Sequence, residues 1–289
     1  MKKICLFAEF PLNALDGNVS GRGGGQAATW LPQLAKAWEG QTGYDIHWAI
    51  FDRTANKPYT IQVWNQTFHR LPCSGISTSL LLGRWPHRLA ARKLLRMLLP
   101  DLIHCWGTEN LNGSALMHFN GPSILSMQGV ISTYFKTGDL NGWRWRLFRY
   151  WESVSISKCR IVTSESKWGM NQTAAIINGK KLRKVEYGVH PSYYTIPWRP
   201  NPTKPRVLFV GGWNRLKGVD ILLDMLKHHP ERPWKMVFAG GGYLADELRG
   251  LNDSSIEVLG LLSSNQVKEE MSKACALVMP SRADTSPNV

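Results

Sequence analysis

A chain of 289 residues that is 43% hydrophobic is long enough for two globular domains with full cores. Its five cysteines (Cys5, Cys73, Cys105, Cys159, Cys275) are scattered and form no Cys-x-x-Cys pair. That argues against a disulfide framework or zinc site and for a reducing compartment. The net charge of +14 is uneven: residues 201–289 hold 11 Lys and Arg against 10 Asp and Glu, and residues 1–200 hold 24 against 11. The first two-thirds of the chain is therefore expected to meet an anion: a lipid surface, a phosphorylated acceptor or a nucleic acid.

In chain order, Ile4 to Ala8 reads as a first strand. The apolar run is too short for a signal-peptide core, and no run approaches a membrane span. A polar, glycine-rich loop follows from Gly17 to Gln26, then a helix over about Ala27 to Trp38 and a strand over Tyr44 to Phe51. Thr60 to Leu71 reads as another strand or as one arm of a hairpin. Ser77 to Leu99 is mostly helical with a break at Pro86. Leu102 to Trp106 and Ser123 to Met127 are short buried strands. Trp143 to Ser157 is a helix, Arg160 to Ser164 a strand, Lys167 to Ala175 a helix, and Val185 to Val189 ends this half. The alternation predicts an α/β domain with a parallel sheet. Pro191, Pro197, Pro200, Pro202 and Pro205 then mark a linker.

The alternation restarts at Arg206, giving domains over 1–190 and 206–289 joined by 191–205. Strands are expected at 207–210, 235–239, 256–259 and 276–279, with helices at about 218–228, 243–251 and 265–273 between them. The stretch Arg206 to Gly218, RVLFVGGWNRLKG, combines a strand, a glycine turn, two cations and a helix start. Glycines let a backbone approach an anion, helix N-terminal N–H groups point at it, and Arg215 and Lys217 add charge. On these residues alone, an ordinary strand-to-helix turn with two solvated cations fits equally well.

Residues 206–289 taken together resemble the nucleotide-sugar domain of retaining glycosyltransferases of the GT-B fold, of the family-4 type. That family carries V-G-R-L-x-x-x-K-G; here the string is Val210-Gly211-Gly212-Trp213-Asn214-Arg215-Leu216-Lys217-Gly218. Lys217 is in register, Gly212 stands at the usual arginine, and Arg215 lies three residues later. KMVFAGGGY (235–243) resembles the next strand and glycine turn. IEVLGLLSSNQV (256–267) resembles the segment that receives the nucleotide base, near Gly260, Leu261 and Leu262. ALVMPSRADTSPNV (276–289) resembles the entry to an acidic motif, with Pro280-Ser281 matching and Asp284 where the first Glu belongs. The second Glu of that motif would fall beyond Val289, so the C-terminal domain is expected to be incomplete and the activity of this chain weak.

The resemblance implies that Gly211, Gly212, Arg215 and Lys217 hold the donor diphosphate. It also implies that Asp284 and the backbone of Thr285, Ser286 and Pro287 hold the sugar. In the first half, Gly24 and Gly25 of the glycine loop are placed to let the backbone approach a phosphate or sugar; a plain surface loop fits nearly as well. Asp101 to Gly107 resembles the family's D-x-x-H strand, with His104 read as a packed structural histidine. Gln128 stands where many members have a histidine near the reacting sugar; it donates a hydrogen bond but serves as neither acid nor base. Val185 to His190 resembles the P-N-G-V-D strand end, with Tyr187 and His190 as departures. No Asp-x-Asp pair is present, so donor charge is expected to be met without a metal or other cofactor.

Two basic segments carry the charge of the first half. Arg88, Arg92 and Arg96 recur every four residues, and Trp143, Arg144, Trp145 and Arg146 interleave rings and cations. Both suit an anionic membrane with aromatics at headgroup level, and both also suit surface helices with arginines lying over their own core. The expectation is two Rossmann-like domains facing across a cleft. The chain would move a sugar from a nucleotide-diphosphate sugar to a saccharide or lipid-linked acceptor, with retention, in cell-surface polysaccharide or lipopolysaccharide synthesis. The setting would be cytoplasmic, on the inner face of the membrane. A non-catalytic remnant of such an enzyme, or a basic nucleic-acid-binding protein, remain the alternatives.

Overall fold

The computed structural model describes residues 1–15, 30–137, 140, 142–177, 181–189 and 191–285. The chain separates into two compact units, one built from Met1–Phe135 and Leu140–Gly188 and the other from Lys136–Asp139 and Val189–Val289. The first unit contains β1 (Lys2–Phe7), α1 (Leu31–Ala37), β2 (Tyr44–Asp52), β3 (Tyr59–Val63), β4 (Gln66–Pro72), α2 (Ile76–Leu81) and α3 (Trp85–Leu98). It continues with β5 (Leu102–Trp106), β6 (Ser123–Ser126), α4 (Ile131–Tyr134), α5 (Trp143–Lys158), β7 (Ile161–Ser164), α6 (Lys167–Ala174) and β8 (Lys181–Lys184). The second contains β9 (Arg206–Gly212), α7 (Val219–His228), β10 (Lys235–Gly241), α8 (Ala245–Arg249), β11 (Ile256–Gly260), α9 (Ser264–Lys273) and β12 (Ala276–Leu277).

The first sheet has eight strands in the order β3-β4-β2-β1-β5-β6-β7-β8. Every pair is parallel except β3 with β4. Alternate side chains of a strand point to opposite faces, and β1 shows the consequence. Its Cys5 and Phe7 pack under α3 and α5 with Leu94, Leu95, Leu98 and Ile156. Leu6 and the following Ala8 pack on the other face, under Leu31 and Ala35 of α1. Both faces are covered, which is why β1, β5 and β7 read as nearly continuous apolar runs.

Several expectations are revised. The stretch after β2 is a hairpin: Trp64 and Asn65 both sit in the left-handed region, at φ 54° and 56°, the two-residue turn that matches strand twist. The helical stretch 77–99 is interrupted, but at residues 82–84, and Pro86 follows the interruption. It lies in the first turn of α3, where its missing N–H is not needed. The last strand of this half is Lys181–Lys184, just ahead of the Val185 to Val189 stretch expected to end it. As an edge strand it buries little more than Leu182, so its sequence KLRK lacks an apolar run. The segment 191–205, expected as a linker, packs on the second unit: the Trp198 indole N–H donates to Ala274 O (2.8 Å) and Arg199 N–H to Ser272 O (2.8 Å).

Imidazoles are buried throughout the first unit. His47 Nδ1 lies 3.0 Å from His69 Nε2, and His47 Nε2 lies 3.0 Å from Asp45 Oδ1. His87 Nδ1 is 2.6 Å from Ser79 Oγ, and His104 Nε2 is 2.7 Å from Ser126 Oγ. Burial, reinforced by His47, lowers His69 to about 4. Burial and Arg84 lower His87 to about 4, and burial alone lowers His104 to about 3.

These rings stay neutral in the fold and take protons when the chain unfolds. Their stabilisation is therefore full above the ordinary value of 6.5 and is lost as the pH falls toward 4. Glu152 has the opposite slope: burial pushes its carboxyl from 4.5 up to about 7, so it costs stability as the pH rises through that window. Glu9 and Glu109, also raised by burial, share its slope, but three strongly shifted rings outweigh the carboxyls. The urea midpoint of the first unit is expected to fall between pH 6.5 and pH 4.5; a flat profile would show that the rings titrate within the fold.

Candidate functional site

The second sheet is fully parallel, in the order β11-β10-β9-β12. From β9 the chain crosses to β10 on one side, and β12 later pairs on the other side. β9 and β12 thus flank a switch point, and open α/β sheets bind ligands beyond the carboxyl ends of their strands at such a point. The loops leaving β9 and β12 carry Lys217 and Asp284.

The corner is built by close backbone approach. At Gly240, φ is 138°, and a Cβ there would lie 1.9 Å from Gly211 O. A Cβ at Gly242 would lie 2.3 Å from Trp213 O. Trp213, 1% exposed, is held in the gap: its N–H donates to Gly241 O (2.8 Å) and its carbonyl accepts from Leu244 N (3.1 Å). Beyond Trp213, the Asn214 side chain accepts from Lys217 N (2.9 Å), and the Tyr243 hydroxyl accepts from Arg215 N (3.1 Å). Gly218 then opens α7 at φ 74°, where a Cβ would lie 2.1 Å from Pro280 O. The α7 N-terminus and the post-β12 segment therefore touch backbone to backbone.

Charged groups close the same contact. Lys217 Nζ donates to Asp284 Oδ2. Arg282 grips Asp220, at the start of α7, through two bonds of 2.6 and 2.8 Å. It also donates to the Arg215 carbonyl at 2.6 Å, while its own N–H reaches Leu216 O at 2.9 Å. Burial would raise the Asp220 carboxyl, but the Arg282 guanidinium holds it below the usual carboxylate range.

The expected site residues thus divide. Gly211, Gly212, Arg215, Lys217 and Asp284 are brought to one edge of the second unit. Gly260, at φ 74°, and half-buried Leu262 flank Leu261, which is 85% exposed and lies over Gly241. Thr285 is only 2% exposed, and the Asp284 side chain beside it is largely buried against Lys217. Gly24, Gly25, Ser286 and Pro287 lie outside the described residues.

Gln128 belongs to the first unit and donates to the Tyr187 hydroxyl. The Tyr187 ring stacks on Trp30 at 4.1 Å. Nearby, Glu109 accepts from Thr108 N (2.9 Å), and Glu9 from the Asn110 amide. Burial raises both carboxyls. Among the described residues, no group of three or more His, Cys, Asp or Glu is arranged to hold a metal ion.

Sequence reasoning passed over Trp213, Tyr243, Arg282 and Asp220. An aromatic inside a glycine turn, and an arginine two residues before the motif carboxylate, were the available signals.

Compared with solved structures, the chain is similar in fold to sucrose-phosphate synthase from Thermosynechococcus elongatus: TM-score 0.75, 16% identity, covering 100% of this chain and 77% of that one. It is similar to the lipopolysaccharide outer core galactosyltransferase WaaB: TM-score 0.63, 16% identity, covering 97% and 74%. It is also similar to the catalytic domain of starch synthase IV from Arabidopsis thaliana: TM-score 0.63, 12% identity, covering 99% and 79%. This is the GT-B fold. Within it, residues 204–289 match the family model described as Glycosyl transferases group 1, so the glycine-built corner falls inside the matched stretch of this GT-B chain. Comparison with curated proteins gives no match.

If Gly218 is required by Pro280, Gly218→Ala should cost far more than Gly260→Ala. Both positions have φ 74°, but nothing lies within 4 Å of a Cβ at Gly260. The left-handed backbone alone costs about 1–2 kcal/mol; the added clash should bring Gly218→Ala to roughly 3–4 kcal/mol, read from chemical denaturation. Equal losses would mean that the Pro280 segment yields.

Proposed function

We propose that this chain is a retaining glycosyltransferase that uses a nucleotide-diphosphate sugar. The observation that carries this reading is the joining of Lys217 and Asp284 at the switch point of the second sheet, inside the stretch matching Glycosyl transferases group 1. Lys217, Arg215 and the α7 N-terminus are the groups that meet the diphosphate, with Gly211 and Gly212 giving backbone access. Asp284 accepts hydroxyl donors of the sugar. Gly260, Leu261 and Leu262 border the base. Two structures of similar fold support the ligand class: Anabaena HepE was solved in complex with UDP and glucose, and the starch synthase IV domain with ADP and acarbose.

Negative charge grows on the leaving diphosphate as the sugar–phosphate bond breaks. Cations and N–H dipoles fixed beforehand at that position stabilise the transition state more than the ground state. Arg282 supplies the fixing, since it ties the Arg215 carbonyl and Asp220 to the post-β12 segment. In this reading no metal takes part. The acceptor is a saccharide or a lipid-linked saccharide, and the five free thiols fit a cytoplasmic setting.

The test is thermal shift with a panel of UDP-, ADP- and GDP-sugars, with a chelator present. Ligand at about a hundred times its Kd stabilises by ~2.7 kcal/mol. Lys217→Ala should weaken the productive donor roughly ten- to a hundredfold, the loss of one charged hydrogen bond. Silence toward every donor by the folded chain, or a shift untouched by Lys217→Ala, would overturn the assignment.

A further inference from the structure

The helical layer over one face of the first sheet has an outer surface that the sugar-transfer reading does not use. Helices α3 and α5 cover the same face, since Leu94, Leu95 and Leu98 of α3 share one core with Ile156 of α5. Between them, α2 touches both. The three helices contain eight cations: Arg88, Arg92, Lys93, Arg96, Arg144, Arg146, Arg149 and Lys158. They contain a single carboxylate, Glu152, and it is 1% exposed, spent on Thr108, Ile131 and Ser132. None of the eight cations enters an ion pair among the described residues.

Position sharpens the point. Trp85, Arg88, Arg92 and Arg96 follow a three- and four-residue spacing and form one stripe along α3. On α5, Arg146 and Arg149 line an open hollow of about 420 Å³ with Phe135, Tyr150 and Ser153. Two guanidinium forks beside two hydroxyls suit a phosphate group. Large apolar side chains stand exposed among the cations: Trp85 and Trp143 at 52%, Leu82 at 57%, Tyr150 at 58% and Leu81 at 67%.

We propose that α2 and the outer faces of α3 and α5 form a docking surface for an anionic lipid bilayer, with headgroup phosphates held by the arginine stripe and by the Arg146–Arg149 hollow. Charge complementarity selects an anion. The exposed leucines select a bilayer over a nucleic acid, because tryptophan, tyrosine and leucine beside cations settle at the boundary of headgroups and acyl chains. The contact is peripheral, since no helix among the described residues is long and apolar enough to cross a membrane.

The test is flotation of the full chain with vesicles of phosphatidylcholine alone, or with one third phosphatidylglycerol. Selective binding to the anionic vesicles, weakened by salt, is expected. Each cation removed near the surface costs roughly fivefold in partitioning, so Arg88→Gln/Arg92→Gln/Arg96→Gln should lose about a hundredfold by the same rule. Arg146→Gln/Arg149→Gln, on a separate helix, should lose roughly twenty-five-fold and covers the case in which the first variant does not fold. Leu82→Ser/Trp85→Ser keeps the cations and should also weaken binding. All folded variants should keep the wild-type response to nucleotide sugars, which separates this inference from the transferase reading. Equal binding to neutral and anionic vesicles, indifference to the arginine variants, or release from vesicles by equimolar oligonucleotide would overturn it.

Discussion

Between β9 and β10 the backbones of Gly211 and Gly240 come so close that no side chain fits. A Cβ at Gly240 would overlap the Gly211 carbonyl at 1.9 Å. That constraint sets the course of everything beyond the two strands. Only with Gly240 and Gly242 bare can the Trp213 backbone cross the end of β10 and take its two bonds from the glycine turn. With Trp213 fixed, the Asn214 side chain and the Tyr243 hydroxyl hold the next turn. Lys217 then leaves that turn toward the segment after β12. A rigid scaffold of this kind lets a pair of charged side chains be held ready, since the reorganisation is done by folding and not by binding.

Much of the architecture was legible because parallel strands covered on both faces are short apolar runs between turns. β5 was placed to the residue, and β6, β7, β9 and β11 within a few positions at each end. The elements that escaped are those whose partners are far away or few. β8 sits at a sheet edge and buries one leucine, so its lysines and arginine hide it. The segment 191–205 has the composition of a spacer, but the Trp198 indole and the Arg199 backbone anchor it to the end of α9, some seventy residues on.

The site was legible in part for the same reason. Order and spacing of glycines and cations located Lys217 and Asp284, but not the contacts that join them. The approach of Gly218 to Pro280 spans more than sixty residues and is visible only once β12 pairs beside β9. Nothing near Arg282 in sequence marks out its partners; only the fold brings Asp220 and the Arg215 carbonyl into its reach. In the first unit, Gln128 was singled out alone. Its setting among Tyr187, Trp30 and the carboxyls of Glu9 and Glu109 depends on the ends of β1, β5, β6 and β8 meeting at one edge.

The Lys217–Asp284 pair is a balance as well as a contact. A ligand that draws the ammonium to its phosphates strips the carboxylate of its counter-ion. A bare nucleoside diphosphate leaves Asp284, whose side chain is 14% exposed, facing added negative charge with little water to relieve it. A ligand that carries a polyol next to its phosphates gives the carboxylate hydroxyl donors in exchange. On the proposed reading, one ion pair would be enough to rank two ligands that share the same base and the same phosphates, favouring the one with a sugar over the one without.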